Sequence, residues 1–190
     1  MKKALIGCGG HAREVMAQMG HKLTCFVDDE FLNDECLPLS SFNPNDYVVM
    51  VAIANPNDRF NMVNKLPKET KYFTFIHPTA LIMNSVEIGT GGFVGANSIL
   101  TTNIKIGSHL LLNRANHIGH DCIIGDYFSA MPGSIVSGNV NIGNRVYLGT
   151  NSSIKEKLTI IDSVTIGLNT GIVKSIDKSG TYVGQQTRQI

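Results

Sequence analysis

The sequence has few charges and few cysteines, and each shortage argues against a class of protein. Charged residues make up 16% of the 190 residues, and the formal net charge is +1. A balance so close to neutral disfavours nucleic acid or an anionic membrane surface as a partner. The cysteine spacing matches neither a metal site nor a disulfide framework, which is typical of a reducing compartment. The four cysteines are Cys8, Cys25, Cys36 and Cys122.

Long apolar runs are also lacking. No stretch reaches the roughly 20 residues that a transmembrane helix needs. The apolar run near the amino terminus ends at Gly7, too early for the apolar region of a secretory signal. We therefore expect a cytoplasmic protein with no membrane partner.

An aliphatic residue recurs every six positions from residue 76 to residue 172, without insertion or deletion. Such a period matches neither an α-helix nor a simple β-strand, and it indicates a hexapeptide β-helix in which three hexads form one coil. A second small or apolar residue, four positions after each aliphatic one, is expected to point inward as well. The aliphatic positions are Ile76, Ile82, Ile88, Val94, Leu100, Ile106, Leu112, Ile118, Ile124, Ala130, Val136, Ile142, Leu148, Ile154, Ile160, Ile166 and Ile172.

Glycine directly follows the aliphatic residue in many hexads. At a corner of the coil this preference predicts either an unusual backbone φ or a close approach of another backbone segment. These glycines include Gly89, Gly95, Gly107, Gly119, Gly125, Gly143, Gly149 and Gly167.

Residues 1–75 do not follow the six-residue period and are predicted to form a small α/β domain of the Rossmann-like, nucleotide-binding type. Residues 76–190 would form the β-helix and a carboxy-terminal tail. The predicted elements of the first domain are strands at 4–6, 23–27, 47–54 and 71–76 and helices at 11–18 and 55–65.

A glycine-rich turn follows the first predicted strand and leads into a helix. Gly9, Gly10 and His11 would bring backbone N–H groups close to a ligand at the helix amino terminus. Asp28 and Asp29 end the next strand, where acidic residues commonly contact a ribose or base. Because the full dinucleotide fingerprint is missing, the pattern favours a mononucleotide over NAD. A tight turn without a ligand is the alternative.

A second polar cluster interrupts the repeat at residues 113–121. His120 lies two positions after the inward Ile118, so its side chain should face outward, where the neighbouring Asp121 can orient the ring. Asn116 occupies an inward position, which a buried asparagine ladder would explain. His117 is a second candidate, more often an exposed or structural histidine in such a turn.

Together, the α/β unit, the repeat and the His-Asp pair resemble the PglD/NeuD-type sugar acyltransferases. The motifs that carry the resemblance are Gly9-Gly10-His11, Asp28-Asp29, Gly119-His120-Asp121-Cys122, Ile124-Gly125-Asp126 and residues 179–184, Ser-Gly-Thr-Tyr-Val-Gly. The resemblance implies a left-handed β-helix, a homotrimer and transfer of acetyl from acetyl-CoA to the amine of a nucleotide-linked sugar. The sugar would be a 4-amino-4,6-dideoxy sugar for bacterial surface glycan synthesis, and no metal is implied.

The resemblance also implies a role for individual residues. His120 would be the general base, Asp121 would orient it, and the Gly138 N–H would face the thioester carbonyl. The implied sugar-nucleotide pocket consists of Gly9, Gly10, His11, Asp28, Asp29 and Asn55, and the implied acetyl-CoA site of Ser129, Gly138, Gly149 and Gly167.

Two positions depart from the family pattern. Ser129 stands where many family members carry a second histidine near the acetyl group. Gln185-Gln186 replaces the usual Val-Pro or Pro-Ala step after the terminal glycine, which puts the contact of the tail with the CoA adenine in doubt.

Three alternatives remain open from the sequence. The same fold could acetylate a hydroxyl, as on a sialic acid. A zinc enzyme of the γ-carbonic-anhydrase kind could use His109, His117 and His120, although their spacing does not match that family. A purely structural solenoid would leave the polar cluster at 113–121 unexplained.

Overall fold

The computed structural model describes residues 1–184. The first part of the chain forms a parallel five-stranded sheet with the strand order β3-β2-β1-β4-β5. Helix α1 (Gly10–Met19) connects β1 to β2, and α2 (Pro56–Lys65) connects β4 to β5. Short 3-10 turns span Asp29–Phe31 and Leu39–Ser41. The strands are β1 (Lys2–Ile6), β2 (Thr24–Val27), β3 (Leu37–Pro38), β4 (Tyr47–Val51) and β5 (Lys71–Tyr72).

All the strands and helices predicted for this unit are present. The structure adds one strand and divides one predicted strand into two. The short strand β3 was not predicted. The predicted strand at 71–76 is two strands, since β5 pairs with β4 whereas β6 (Phe75–Ile76) pairs with a strand of the following coils. Sheet membership therefore changes between Tyr72 and Phe75. The domain boundary at 75/76 and a Rossmann-like nucleotide-binding role for the unit both stay predictions.

The rest of the described chain forms three parallel sheets that stack coil upon coil. The register advances by 18 residues per coil, as in the pairing of Ile99 with His117 and of His117 with Ile135. These stacked sheets fit a left-handed β-helix built from hexapeptides. The first sheet holds β6, β9 (Phe93–Val94), β12 (Leu111–Leu112), β15 (Ser129–Ala130), β18 (Tyr147–Leu148), β21 (Val164–Ile166) and β23 (Gly180–Tyr182). The second holds β7 (Leu81–Ile82), β10 (Ile99–Leu100), β13 (His117–Ile118), β16 (Ile135–Val136), β19 (Ser153–Ile154) and β22 (Gly171–Ile172). The third holds β8 (Val86–Ile88), β11 (Ile104–Ile106), β14 (Ile123–Ile124), β17 (Asn141–Ile142) and β20 (Thr159–Ile160).

The inward positions of the hexads form one continuous apolar core. Every aliphatic position from Val94 to Ile172 is buried, whereas Ile76 in the first coil is 42% exposed. The second inward position is also buried, for example at Cys122 and Val140. Because each coil covers the core of the next, the repeat gains its apolar burial by stacking.

The corner glycines have a steric cause. A Cβ on Gly119 would lie 2.6 Å from the backbone nitrogen of Gly138 in the next coil. The unusual φ sits two residues further on, at residues such as Asn103 (φ 55°), Asp121 (φ 59°) and Asn139 (φ 60°). Of the two predicted causes, close backbone approach is confirmed for the predicted glycines except Gly167, where the near contact is the Val183 side chain, and positive φ is wrong. A corner with a glycine therefore combines two requirements, room for the next coil at the glycine and tolerance of the left-handed region two residues later.

Neither helix in residues 1–184 is long and apolar enough to cross a membrane.

Candidate functional site

A cleft of about 850 Å³ opens at the carboxyl ends of β1, β2 and β4. It brings together Gly9, Gly10, His11 and Asp28, as their positions after the strands predicted. Its far wall belongs to α2, which contributes residues that the sequence analysis did not single out. These are Asp58, Asn61, Met62 and Lys65.

Lys65 and Asp28 form an ion pair across this cleft. The Lys65 Nζ donates to the Asp28 Oδ2 at 2.8 Å. The hydrogen bond and the charge of Asp28 raise the pKa of Lys65. The cleft therefore offers a cation and a carboxylate side by side, together with the backbone N–H groups at the start of α1.

Two residues predicted for this pocket do not line it. Asp29 begins the exposed 3-10 turn, while its neighbours Glu30 and Phe31 do line the cleft. Asn55 caps α2, because its Oδ1 accepts hydrogen bonds from the backbone N–H groups of Asn57 (2.9 Å) and Asp58 (3.3 Å). An Asn followed by proline at the first helical position is the ordinary signal of such a cap.

His11 lies where the cleft meets the β-helix. Its side chain is 9% exposed and packs edge-on against Phe93, with ring centroids 5.3 Å apart. Burial, and then the positive charge of Arg59, lower the pKa of His11 to about 4. The ring is therefore neutral at physiological pH.

His120 and Asp121 form a hydrogen-bonded pair on the outside of the β-helix. The His120 Nδ1 lies 2.7 Å from the Asp121 Oδ2, and both side chains are exposed, at 57% and 43%. The Asn103 amide donates to the other oxygen of Asp121. Hydrogen bonds from Asn103 and then His120 lower the pKa of Asp121. An ionised carboxylate on Nδ1 leaves the other ring nitrogen, Nε2, free as a proton acceptor.

The free side of this imidazole faces the next coil. A Cβ on Gly138 would lie 2.6 Å from the His120 Nε2, so only glycine leaves room for the ring there. The neighbouring Asn139 N–H donates to the His120 carbonyl at 2.8 Å. The backbone of Gly138 and the candidate base are thus in direct contact.

Arg59 is a buried residue, beside the cleft, that sequence reasoning missed. It is 1% exposed although it lies on α2, and it donates to backbone carbonyls of both the α/β unit and the β-helix. Burial lowers its pKa to about 9, and the ring of Tyr127 opposes that effect. An arginine in a polar helix ordinarily indicates a solvated face, so only the fold reveals this contact.

Ser129 lies inside this same interface. It is fully buried; its Oγ accepts from the Arg59 Nη2 at 2.8 Å and donates to the Ala54 carbonyl at 2.8 Å. The hydroxyl is therefore engaged with the α/β unit, on the inner side of the contact, rather than with an outer groove of the β-helix.

The three histidines of the zinc alternative do not come together. His109 is buried between the rings of Tyr127 (centroids 4.9 Å apart) and Tyr72 (4.6 Å). Burial and the charge of Arg59 lower the pKa of His109 to about 4. His117 points outward from β13. Among residues 1–184, no three His, Cys, Asp or Glu side chains form a group that could hold a metal ion.

The two remaining glycines of the implied acetyl-CoA site lie at corners of the coils. Gly149 and Gly167 sit where a Cβ would crowd the following segment, within 2.6 Å of the Leu168 nitrogen and 2.9 Å of Val183. Asn116 is buried, and its amide donates to the Asn113 carbonyl at 2.6 Å. Its neighbours at the same position of the adjoining coils are Ser98 and Ser134, so the predicted asparagine ladder is wrong. Gln185-Gln186 lies outside the described residues.

The chain was compared with known proteins, and no family model matches it. The GDP-perosamine N-acetyltransferase of Escherichia coli O157:H7 is 27% identical over 170 residues, which cover 80% of this chain and 77% of the relative. WeeI from Acinetobacter baumannii AYE superposes with a TM-score of 0.87 at 29% identity, over 97% of both chains. The acetyltransferase domain of PglB from Neisseria gonorrhoeae FA1090, in complex with acetyl coenzyme A, gives a TM-score of 0.83 at 27% identity over 96% of both chains. The resemblance predicted from the sequence is confirmed, because these homologues are sugar acyltransferases of the hexapeptide-repeat type.

Proposed function

We propose that this chain transfers acetyl from acetyl-CoA to the amino group of a nucleotide-linked sugar, with His120 as general base. The observation that carries the proposal is the arrangement of His120 between the Asp121 carboxylate and the Gly138 backbone. The relatives add the class of reaction, since one is named for N-acetylation of GDP-perosamine and another was solved with acetyl coenzyme A.

The chemistry follows from this arrangement. The amine nitrogen attacks the thioester carbonyl, the new C–N bond forms, and the C–S bond breaks. The His120 Nε2 takes the proton from the amine and returns it to the departing thiolate, which leaves as free CoA. Asp121 stabilises the imidazolium in between. Such base catalysis typically contributes about 10²–10⁴-fold in rate.

Negative charge develops on the thioester oxygen during the attack. The Gly138 N–H is proposed as the donor to this oxygen, because Gly138 adjoins the base and a backbone donor on a stacked coil moves little during the reaction. Gly149 and Gly167 follow strands of the first sheet, so they lie at a different edge of the coils from Gly138, and they are proposed to hold a further part of acetyl-CoA. Ser129 is left out of the acetyl-CoA site, because both of its hydrogen bonds are made to the α/β unit.

The cleft of the α/β unit is proposed to bind the nucleotide. Gly9, Gly10 and His11 would meet the phosphates at the start of α1, and Asp28 the ribose or base. Because the Escherichia coli relative is named for a GDP-linked sugar, GDP-linked 4-amino-4,6-dideoxy sugars are the first substrates to try, followed by UDP- and dTDP-linked ones. The product would enter a bacterial surface glycan.

The enzyme is proposed to act as a homotrimer with its active sites between subunits. Ile123 and Ile135 are 59% and 44% exposed on outer faces of the β-helix, close in sequence to His120. Flat sides of three such prisms around an axis would cover these residues and create three equal clefts. Analytical ultracentrifugation is expected to give three times the mass of the chain, and a monomer would refute this part of the proposal.

The test of the activity is release of free thiol from acetyl-CoA with a panel of GDP-, UDP- and dTDP-linked amino sugars. Wild type is expected to release thiol with at least one, and His120→Ala to lose roughly 10²-fold or more in rate. His117→Ala, which removes an exposed histidine three residues away, serves as the matched control and should keep the wild-type rate. No thiol release with any amino sugar, or full activity of His120→Ala, would refute the proposal. A hydroxyl-bearing sugar that replaces the amine as the preferred acceptor would favour O-acetylation.

A further inference from the structure

Arg59 is buried without a carboxylate partner. Among residues 1–184 its contacts are five backbone carbonyls and one hydroxyl. A buried cation is ordinarily paired with an anion, so a guanidinium held only by carbonyl groups needs an explanation.

The acceptors belong to three segments of the chain. The Arg59 Nη1 donates to the carbonyls of Ile53 (2.6 Å) and Ala54 (3.1 Å), which line the nucleotide cleft at the end of β4. The Nε donates to the His109 carbonyl at 2.9 Å, and the Nη2 to the Tyr127 carbonyl at 2.9 Å. His109 and Tyr127 are 18 residues apart, so they occupy the same corner of two successive coils.

These two corners flank, in sequence, the segment that carries the candidate base, which lies at another edge of the same coil. His120 and Asp121 lie between residues 109 and 127, in the one coil turn that the guanidinium spans. On the other side of Arg59, α2 carries the cleft residues Asn61 and Lys65. The planar guanidinium of Arg59 donates to both parts at once and therefore fixes the cleft wall relative to the catalytic coil. The ammonium of a lysine, on a flexible stem, could not hold both in this way.

We infer that Arg59 is a positioning residue that sets the placement of the bound nucleotide relative to the His120–Asp121 coil. The inference rests on the proposed function, since it assumes that the cleft binds the nucleotide of the acceptor. Arg59 does not touch the reacting atoms; it acts through the cleft wall and the coil. A displacement on the order of 1 Å between two parts of a site can lower the rate about 10²-fold.

A comparison of two acceptors separates positioning from general loss of structure. An amino sugar linked to its nucleotide is oriented by the cleft, whereas the same amino sugar without the nucleotide reaches the base freely. Arg59→Lys is therefore expected to lower kcat with the linked acceptor by about 10–10²-fold. The rate with the free amino sugar at high concentration and the KM for acetyl-CoA should stay at their wild-type values. Equal losses with both acceptors, or no loss with either, would overturn the inference.

Two further variants serve as a control and as a chemical rescue for this comparison. Gln18→Ala is the matched control, because the Gln18 Oε1 accepts a hydrogen bond from Ala96 N at 2.8 Å in the same interface but away from the cleft. Arg59→Ala leaves a space that added guanidinium ion at non-denaturing concentration can fill, and rescue of kcat for the linked acceptor alone is expected. If added guanidinium ion restores kcat with neither acceptor, although circular dichroism shows that the variant is folded, the result would count against positioning.

A readout without catalysis keeps this inference separate from the proposed activity. If wild type releases no thiol with any amino sugar, the proposed function fails. Hydrogen exchange then decides the role of Arg59. Arg59→Lys is expected to accelerate exchange in α2 and at residues 108–130 together, whereas Gln18→Ala leaves both segments protected. Unchanged exchange in Arg59→Lys would overturn the inference whatever the activity.

Discussion

The imidazole of His120 and the α-carbon of Gly138 occupy adjacent coils in direct contact, and a side chain on Gly138 would come within 2.6 Å of the His120 Nε2. The glycine at this corner therefore has a second role besides avoiding a clash between coils. It leaves room for the imidazole ring of the proposed base.

Gly138→Ala tests that contact. The added methyl group would push the His120 ring aside rather than disrupt the coil, because the crowded atoms are the far end of a side chain. We expect the rate of thiol release to fall about 10²-fold or more, with little change in melting temperature. Gly171→Ala is the control, since its added Cβ would meet Ser153 Oγ only at 3.8 Å. An unchanged rate in Gly138→Ala would show that the ring does not work from this position.

Asp121→Asn tests the charge behind the base. Hydrogen bonds from Asn103 and His120 lower the pKa of Asp121, so its carboxylate is ionised throughout the neutral range. The amide keeps the size of the side chain but removes the charge that stabilises the imidazolium, and the rate should fall about 10²-fold. Asp126→Asn, one corner later, removes an exposed carboxylate that accepts from the Ser108 N–H at 2.7 Å, and should leave the rate intact. Equal effects of both variants would point to net charge rather than to the pair.

Ser129→Ala distinguishes an acetyl-CoA contact from an interface role. The hydroxyl accepts from Arg59 and donates to the Ala54 carbonyl, so its loss should destabilise the protein by about 1–3 kcal/mol. Because the serine faces the α/β unit, the KM for acetyl-CoA should not change. Chemical unfolding measures the first quantity and steady-state kinetics the second. A raised KM without loss of stability would restore the role implied by the family resemblance.

Asn55→Ala makes the same distinction for the nucleotide cleft. The Asn55 side chain caps α2 through the Asn57 and Asp58 N–H groups and does not line the cleft. Loss of such a cap ordinarily costs about 1 kcal/mol. We expect that loss in the free energy of unfolding, with the affinity for a nucleoside diphosphate unchanged in calorimetry. Asp28→Ala, within the cleft, should instead lower the affinity for the nucleoside diphosphate and leave the free energy of unfolding unchanged.

Much of the fold follows from the sequence because burial repeats at every sixth residue. A strand of two residues gives no signal alone, but the same position in each coil meets the same neighbours, as at Leu100 and Ile118. The His120–Asp121 pair was predictable because its two members are adjacent in sequence. Arg59 was not, because four of its six acceptors lie 50 to 70 residues away and become neighbours only when α2 packs on the coils.

The dependence of stability on pH tests the buried histidines. His11 and His109 each have a pKa lowered from 6.5 to about 4, first by burial and then by the charge of Arg59. Between pH 6.5 and 4 the unfolded chain takes up protons that the folded chain does not, so the free energy of unfolding falls as the pH falls. The loss is on the order of 3 kcal/mol for each histidine and is complete below pH 4. His109→Asn introduces the residue type found at positive φ at several other corners of the coils, and it should lose only about half as much over the same range. Urea unfolding at a series of pH values measures the free energy of unfolding of wild type and of His109→Asn. If this free energy falls equally with pH in both proteins, His109 titrates freely in the folded protein.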